Sequence, residues 1–322
     1  MKKGQFNFAW LFAIIVGGAI LFLAIFGAMN TGDTQVYGSN TEIGKSISII
    51  TDPLQAGFSE GSFGQIAFRQ ETKIRNICFT GGFGKNDIAV ATETGMNGEW
   101  GDFGGATSVY NKYIFSSEKN TGKDYYVFSK PFDFPYKVSD LIFLTSENYC
   151  FMDAPDEIAD EVLSFGMPNV GVSEYDISIG KNVGCDFPEA VNVCFGQGSD
   201  CDISVYGSCL SKCDSVYDEG IVVKKGEDMN YVGSLMYAAI FSDENIYECN
   251  VERLMYRAGK IGEMFVEKAD LMDARGCNTN LKGDLFVWSG LVGNATTEDL
   301  MNLRPLGDTL ERRNDMELCG LW

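Results

Sequence analysis

The first thirty residues contain the most distinct hydrophobic pattern of the chain. Phe8 to Met29 form a run of 22 residues without a charged side chain. As an α-helix rising about 1.5 Å per residue, this run is long enough to cross a hydrocarbon core of roughly 30 Å. Lys2 and Lys3 precede the run, and the first charge after it is Asp33. The positive-inside rule therefore predicts a single-pass protein of the cell membrane, with a cytoplasmic amino end and an extracellular carboxyl-terminal domain.

Small residues recur at every fourth position of this run, at Ala9, Ala13 and Gly17. Such a ridge lets a second helix approach closely, so the spacing predicts association between helices in the bilayer. The alternative is that these residues reflect the ordinary Ala and Gly content of membrane helices. Membrane lipid is thus the first predicted partner, and self-association or contact with other surface subunits is the second.

Beyond the run, a polar and glycine-rich segment over 30–40 predicts a flexible stalk. Short apolar runs then alternate with turn-forming segments up to about residue 150, a pattern that is typical of a sheet or sandwich. These runs are SISII, GQIAF, KIRNICF, DIAVAT, YYVFS and LIFL. Strand-like patterns return after residue 170, so the sequence predicts a β-rich ectodomain.

Helical periodicity is clearest between Tyr231 and Ala274. The second part of this stretch places apolar residues at spacings of three and four, which is typical of a helix with one buried face. These residues are Val251, Leu254, Ala258, Ile261 and Phe265. We interpret the stripe as the core face of a long amphipathic helix packed on the sheet. An exposed helix that binds a partner is the alternative.

Shorter patterns complete the predicted α+β fold. Ala154 to Phe165 predicts a helix with Asp153 as its cap, while LFVWSGLV predicts a strand and NATTEDLMNL a capped helix near the end of the chain. The predicted segments are a cytoplasmic tip and transmembrane helix (1–29), a stalk (30–40), a β-rich ectodomain (41–228) with a cysteine-dense, loop-rich insert (185–213), and a helical segment with a carboxyl-terminal strand and cap (229–322).

Ten cysteines, all on the predicted outer side, indicate a disulfide framework. They are Cys78, Cys150, Cys185, Cys194, Cys201, Cys209, Cys213, Cys249, Cys277 and Cys319. A zinc site is the alternative, but the closest spacings do not match those of zinc ligands. Cys249 and Cys277 would lie roughly 40 Å apart along a straight helix, so we expect them to have different partners. Cys319 is expected to hold the carboxyl end in place.

Charge and composition exclude some classes of function. The chain has no histidine, which rules out a Ser–His–Asp triad. A net charge of −20 repels phosphate backbones, so we predict no nucleic-acid partner. The acidic surface is interpreted as a solvated one, with divalent-cation binding as the alternative, because no segment matches a calcium loop. We therefore predict no metal site and no cofactor.

The sequence identifies no catalytic residue. Carboxylates lie close together in the sequence at Asp153, Asp156 and Glu157 and at Asp200 and Asp202, but spacing alone does not establish a glycosidase pair. The glycine-rich pieces at 80–84 and 101–105 lack a phosphate-binding pattern and are interpreted as turns. Asn294 begins an Asn-Ala-Thr sequon and is a candidate for glycosylation.

The residues MKKGQ, directly before the apolar run, resemble the class III signal of archaeal type IV pilins and related surface subunits. The resemblance covers about the first 30 residues. It implies that a prepilin peptidase cuts between Gly4 and Gln5 and leaves the helix attached as an assembly stem. Pilins usually carry Glu at the fifth mature position, where this chain has Ala9. The segment is also similar to the amino ends of uncharacterised single-pass membrane proteins of small-genome archaea.

Three functions fit these patterns. The first is a membrane-anchored structural or adhesive protein of the cell surface, such as a pilin-like or envelope subunit. The second is a membrane-tethered module that binds an extracellular ligand, with or without calcium. The third is an extracellular hydrolase that uses carboxylates, which requires a deep cleft lined by acids with raised pKa values. The sequence favours a function other than catalysis.

Overall fold

The computed structural model describes residues 16, 19–23, 37–47, 63–94, 98–176, 181–187, 189–196, 201–208 and 215–322. Within these ranges, no helix combines the length and the apolar character needed to span a membrane. The predicted cleavage site at Gly4 and Gln5 and the ridge of Ala9, Ala13 and Gly17 lie outside the described residues. The prediction of an α+β ectodomain is confirmed.

The first sheet contains seven strands of the described chain and is mostly antiparallel. Its order is β3-β2-β1-β6-β7-β5, with β4 paired to β2, and β5 runs parallel to β7. The strands are β1 (Phe63–Phe79), β2 (Lys85–Thr94), β3 (Glu99–Trp100), β4 (Thr107–Tyr110), β5 (Tyr113–Phe115), β6 (Lys119–Asp133) and β7 (Lys137–Thr145).

Strand β7 is covered on both faces. Leu141 to Leu144 are all buried, and a continuous apolar run of this kind is typical of a strand with no solvated side. Leu141 and Phe143 belong to the main hydrophobic core. Ile142 and Leu144 belong to a smaller core on the opposite face of the sheet.

A helix over 37–47, which we label α1, packs over this smaller core. Asn40 in its first turn is fully buried, where its Nδ2 donates to the Asp102 carbonyl (3.1 Å) and its Oδ1 accepts from Thr92 Oγ1 (3.0 Å). The last part of the predicted stalk at 30–40 is therefore a helical turn that is hydrogen-bonded to the sheet.

The second sheet also contains seven strands of the described chain, in the order β10-β9-β8-β11-β12-β13-β14. Its centre, β9-β8-β11-β12, is parallel, and both sides are antiparallel. The strands are β8 (Tyr149–Met152), β9 (Val170–Asp176), β10 (Lys181–Val183), β11 (Val191–Phe195), β12 (Ile203–Gly207), β13 (Glu219–Lys224) and β14 (Glu227–Val232). The described residues of 185–213 supply β11 and β12 to the middle of this sheet, where we had predicted a loop-rich insert.

After α1, the described residues form five helices that follow the predicted patterns only in part. They are α2 (Asp156–Ser164), α3 (Leu235–Phe241), α4 (Glu244–Asp273), α5 (Lys282–Val292) and α6 (Leu300–Met316). The predicted long helix begins only after β14, which contains its first two residues, and it is interrupted at Ser242 and Asp243, which separate α3 from α4. The predicted core stripe of α4 is confirmed, since Val251, Leu254 and Ala258 are buried and the other two residues pack against the same core.

Helix α3 lies between the two sheets. All seven of its side chains are buried, as expected for a helix that is apolar on every side. The ring of Phe241 shows the arrangement, because its centroid lies 5.2 Å from that of Phe128 in the first sheet and 4.6 Å from that of Tyr149 in the second. The two sheets and α3 thus share one hydrophobic core.

The strand predicted at LFVWSGLV is wrong, because this segment forms α5. The buried residues of α5 are Leu285, Trp288, Ser289 and Val292, which share one face of a helix rather than one face of a strand. The aromatic and β-branched residues of this run favour a strand, but the spacing of its buried residues is helical. The capped helix predicted next is confirmed, since Thr296 and Asp299 form a capping box directly before α6.

The predicted disulfide framework is confirmed. Among the described residues, four bridges join cysteines whose Cα atoms lie 5.7 to 6.0 Å apart, a normal distance for a disulfide. They are Cys78–Cys249, Cys150–Cys185, Cys194–Cys201 and Cys277–Cys319. Cys249 and Cys277 have different partners, and Cys319 holds the carboxyl end, as predicted. Cys209 and Cys213 lie outside the described residues.

Candidate functional site

A polar cleft of about 690 Å³ lies where the first sheet meets the second. One side is formed by residues at the start of β6 and the end of β7, including Thr121 and Ser146. The other side is formed at the amino ends of β8, β11 and β12 and by Lys224 at the end of β13. Its volume falls within the range of small-molecule sites. The cleft is therefore our candidate binding site.

The β13–β14 hairpin places two lysines at this cleft. Lys224 pairs with Glu227, and the two residues between them, Lys225 and Gly226, both have positive φ angles of 55° and 88°. Such a two-residue turn matches the twist of the flanking strands. Successive side chains of a strand alternate in direction, so Lys224 follows Val222 into the interior, whereas Lys225 stays on the rim with three quarters of its side chain exposed.

The ammonium of Lys224 closes the end of α3. Its Nζ donates to the carbonyls of Ile240 (3.0 Å) and Ser242 (2.9 Å), which are among the carbonyls that a helix end leaves without partners. A cation is also favoured there by the helix dipole. Burial lowers the pKa of Lys224 to about 8, although Asp243 and Glu147 act in the opposite direction. The described residues accept two of the three N–H groups, so one remains available to a ligand in the cleft.

The carboxylates around the cleft are held by hydrogen bonds. Glu147 accepts from the buried hydroxyl of Tyr149 (3.1 Å), and Asp202 accepts from the backbone N–H of Asn192 (2.8 Å). Burial, with Glu147 as a further cause, raises the pKa of Tyr149, so this phenol is neutral and acts as a donor. The cleft thus presents both signs of charge, which suits a polar ligand with an anionic group near Lys224.

An adjacent groove of about 360 Å³ shares the two lysines. Asp243 lies here and accepts from the backbone N–H of Glu118 (2.8 Å) and from Lys225 Nζ (3.3 Å). Burial alone would raise the pKa of Asp243, but these donors and Lys224 hold it below its usual value. The carboxylate therefore stays ionised and fixes the rim lysine to the start of α4.

A third cavity of about 400 Å³ is lined in part by three side chains that interact with one another, Lys130, Glu161 and Tyr237. Lys130 forms an ion pair with Glu161, which also accepts from the Tyr237 hydroxyl (2.5 Å). The Lys130 ammonium lies 4.9 Å from the centre of the Tyr237 ring. Burial, followed by the charge of Glu161, raises the pKa of Tyr237. The three groups satisfy one another, so we interpret them as a structural cluster.

The carboxylates singled out in the sequence do not form a shared site. Glu157 lines the third cavity, Asp202 lines the 690 Å³ cleft, and Asp200 lies outside the described residues. Among the described carboxylates, Glu244 and Glu311 have raised pKa values, in both cases through burial first and neighbouring carboxylates second. Neither of them lines the 690 Å³ cleft. Within the described ranges, no three Cys, Asp or Glu side chains gather closely enough to hold a metal ion.

Asn294 is exposed in the loop between α5 and α6, and its Nδ2 donates to the Gly290 carbonyl at 3.3 Å.

The sequence analysis did not identify Lys224 as a site residue, although the pattern of β13 contains a signal for it. Gly220, Val222 and Lys224 occupy alternate positions on the buried face of β13, so the lysine has an inward position in a strand.

No family model, curated protein or solved structure matches this chain.

Proposed function

We propose that this chain is a membrane-anchored protein of the cell surface with a structural or adhesive role, as a pilin-like or envelope subunit. The disulfide framework is the observation that carries the proposal. Structural disulfides form and persist in oxidising compartments outside the cytosol and are rare within it. The apolar run from Phe8 to Met29 supplies the anchor, and Lys2 and Lys3 supply the orientation.

The positions of the bridges support a structural role. Cys78–Cys249 crosslinks the first sheet to α4, and Cys150–Cys185 crosslinks β8 to the segment before β11. Cys277–Cys319 fixes the carboxyl end beside the buried Leu321. Among the described residues, the bridges therefore tie the first sheet to α4, crosslink the second sheet internally and fix the carboxyl end, a property that suits a subunit exposed to force and to proteases.

The test is the state of the protein in its native membranes. We expect the protein to remain in the membrane fraction after alkaline extraction, and its intact mass to rise by two hydrogens per bridge on reduction. Loss of Met1 to Gly4 from the same mass would support cleavage before Gln5. A protein recovered from the cytosol with reduced thiols would contradict the proposal.

Assembly through the stem needs a separate measurement. We expect the full chain to form large oligomers in mild detergent, whereas a variant that lacks residues 1–36 should be monomeric. The deletion ends at 36 because Asn40 and the rest of α1 belong to the folded domain. A monomeric full chain would count against a filament subunit. It would not bear on the anchor or the disulfides, which the membrane fractionation and the mass measurement test.

A ligand-binding module is the second candidate, and the 690 Å³ cleft favours it. Its ligand would place an anionic group near Lys224 and polar groups near Glu147 and Asp202. A screen of small carboxylates and phosphates by thermal shift on the 1–36 deletion variant tests this idea, with Lys225→Met and Glu147→Gln as rim variants. Binding that both variants weaken would support it. A shift with calcium alone would indicate a cation-dependent module.

A further inference from the structure

We propose that Asn294 carries an N-linked glycan whose first sugars lie in the adjacent groove, against the ring of Tyr256. This inference rests on the proposed function, because N-glycosylation marks the surface loops of exported proteins. The sequon alone is a short motif. The groove beside it adds an independent observation, since it offers a shaped surface within reach of the Asn294 side chain.

The groove has a volume of about 320 Å³, at the lower end of the range for small-ligand sites. Asn294 and Thr296 form part of one wall, the turn at 80–82 forms the opposite wall, and Tyr256 and Glu252 of α4 lie between them. Asn294 therefore borders a groove of the size of a few sugar rings.

Glycine keeps the far wall open. Gly81 and Gly82 have φ angles of 110° and 62°, which L side chains rarely adopt. A Cβ at Gly81 would meet nothing within 4 Å, whereas a Cβ at Gly82 would lie 3.6 Å from the Tyr256 ring. The wall therefore faces open space at Gly81 and lies against the ring at Gly82. The turn thus leaves room for a ligand and exposes peptide groups that can bond to sugar hydroxyls.

The floor offers an aromatic platform. The Tyr256 ring is half-buried, and the Phe83 ring lies nearly perpendicular to it with the centroids 5.2 Å apart. The ammonium of Lys260 lies 5.6 Å from the centre of the Tyr256 ring. Aromatic rings of this kind provide a rigid apolar face together with a polar edge. The C–H face of a pyranose can cover the exposed part of the Tyr256 ring while its hydroxyls donate to the Glu252 carboxylate.

The covalent step requires an activated glycosyl diphosphate donor and a transferase. Asn294 Nδ2 forms a bond to the anomeric carbon, the bond from that carbon to the phosphate oxygen breaks, and the diphosphate leaves with the electron pair. One of the two Nδ2 protons is lost to a base. The other N–H remains and can keep its hydrogen bond to Gly290.

The experiment uses the full chain, expressed with its own amino-terminal segment in a host that N-glycosylates exported proteins. Four proteins are compared: the wild type, Asn294→Gln, Tyr256→Ala and the double variant. Peptide mass spectrometry reports occupancy at Asn294, and thermal unfolding reports Tm. Tyr206→Ala, with and without Asn294→Gln, is the matched control, because Tyr206 is a partly exposed tyrosine of β12 in the second sheet.

We expect a glycan on Asn294 and a Tm that is about 2 °C or more higher than that of Asn294→Gln. This difference should vanish in the Tyr256→Ala background and persist in the Tyr206→Ala background. If Tyr256→Ala leaves the effect of the glycan on Tm unchanged, the first sugars do not lie against Tyr256 and the inference is overturned.

Failure of this inference and failure of the proposed function give different results. Unmodified Asn294 in protein that is exported and disulfide-bonded would overturn the glycan and leave the proposed function standing. Unmodified Asn294 in cytosolic protein with reduced thiols would overturn both.

Discussion

Cys78 and Cys249 are 171 residues apart in the chain, and their disulfide fixes α4 to the carboxyl end of β1. In the chain-entropy model a bridge stabilises the fold more when it closes a longer loop. Cys194 and Cys201 are only 7 residues apart and provide a natural comparison within the same molecule.

We predict that Cys78→Ala/Cys249→Ala lowers the free energy of unfolding by about 5 kcal/mol, and that Cys194→Ala/Cys201→Ala lowers it by about 2 kcal/mol. Urea unfolding of the domain without residues 1–36 measures both values. Equal losses would contradict the dependence on loop length. A larger loss for the short loop would show that native packing around β11 dominates instead.

Arg253 of α4 is a buried cation whose described hydrogen-bond acceptors are uncharged. Its Nε donates to the Phe83 carbonyl (2.9 Å), and one terminal nitrogen donates to the side-chain oxygens of Asn86 (2.5 Å) and Asn250 (2.6 Å). The other terminal nitrogen donates to the Lys112 carbonyl (3.0 Å). Burial lowers the pKa of Arg253 to about 10, so the group remains charged at neutral pH.

Arg253→Met should therefore lower the free energy of unfolding by about 3 kcal/mol or more, because it leaves several buried acceptors without donors. Arg253→Lys should recover little of this loss, since an ammonium cannot reach all of these acceptors. Arg312→Met, at an exposed position of α6, is the control and should change stability by less than about 0.5 kcal/mol. Denaturant unfolding of the three variants checks the ranking, which a small effect of Arg253→Met would contradict.

The shifted pKa of Lys224 makes the free energy of unfolding depend on pH, in a direction that can be predicted. Its pKa in the folded protein is about 8, below the ordinary value of 10.5. Between these two values the unfolded chain binds more protons than the folded one, so the contribution of Lys224 to stability rises with pH through this window.

We expect the difference in unfolding free energy between the wild type and Lys224→Met to shift in favour of the wild type between pH 8 and 9.5. The slope should approach but not exceed roughly 1.4 kcal/mol per pH unit. Urea unfolding at several pH values measures it, and Lys225→Met is the matched control. A difference that does not vary with pH would show that Lys224 titrates as an ordinary lysine.

Gly259 of α4 lies where α5 approaches most closely. A Cβ at this position would lie 2.8 Å from Gly293 Cα and 3.0 Å from the Ser289 carbonyl oxygen, both of which are backbone atoms. Gly290 of α5 offers the opposite case, because a Cβ there would meet nothing within 4 Å.

Gly259→Ala should destabilise the protein by about 1–3 kcal/mol, since overpacking outweighs the gain in helix propensity. Gly290→Ala should stabilise it by about 0.5–1 kcal/mol, because only the propensity gain applies. Thermal and urea unfolding of the two alanine variants make the comparison. The same sign for both would mean that the contact between α4 and α5 relaxes more easily than the backbone distances suggest.

The sequence predicted those features that depend on local periodicity. The core stripe of α4 was found because Val251, Leu254 and Ala258 repeat at helical spacing and are all buried. The same rule would have found two elements that were missed. Ile43 and Ile47 of α1 lie one helical turn apart and both pack against the first sheet. Ile47 belongs to the run SISII, which was interpreted as a strand. The buried residues of α5 likewise have helical spacing.

Long-range pairing could not be predicted in this way. Strands β8, β9, β11 and β12 lie side by side in the second sheet in the order β9-β8-β11-β12. The local sequence pattern of each strand and connection does not predict this order. The candidate cleft depends on this pairing, because it brings Ser146, Asp202 and Lys224 to one edge from distant parts of the chain. Only the inward position of Lys224 on β13 was visible in the sequence.

The central position of α3 has a practical consequence for dividing the chain. The predicted boundary between 228 and 229 falls within β14, so a fragment that stops there loses most of a hairpin strand together with the helix that fills the space between the sheets. We expect 41–228 to be insoluble when expressed alone and residues 37–322 to melt in a single transition. Designers of crystallisation or display fragments should therefore keep this whole region intact and place tags at its amino end.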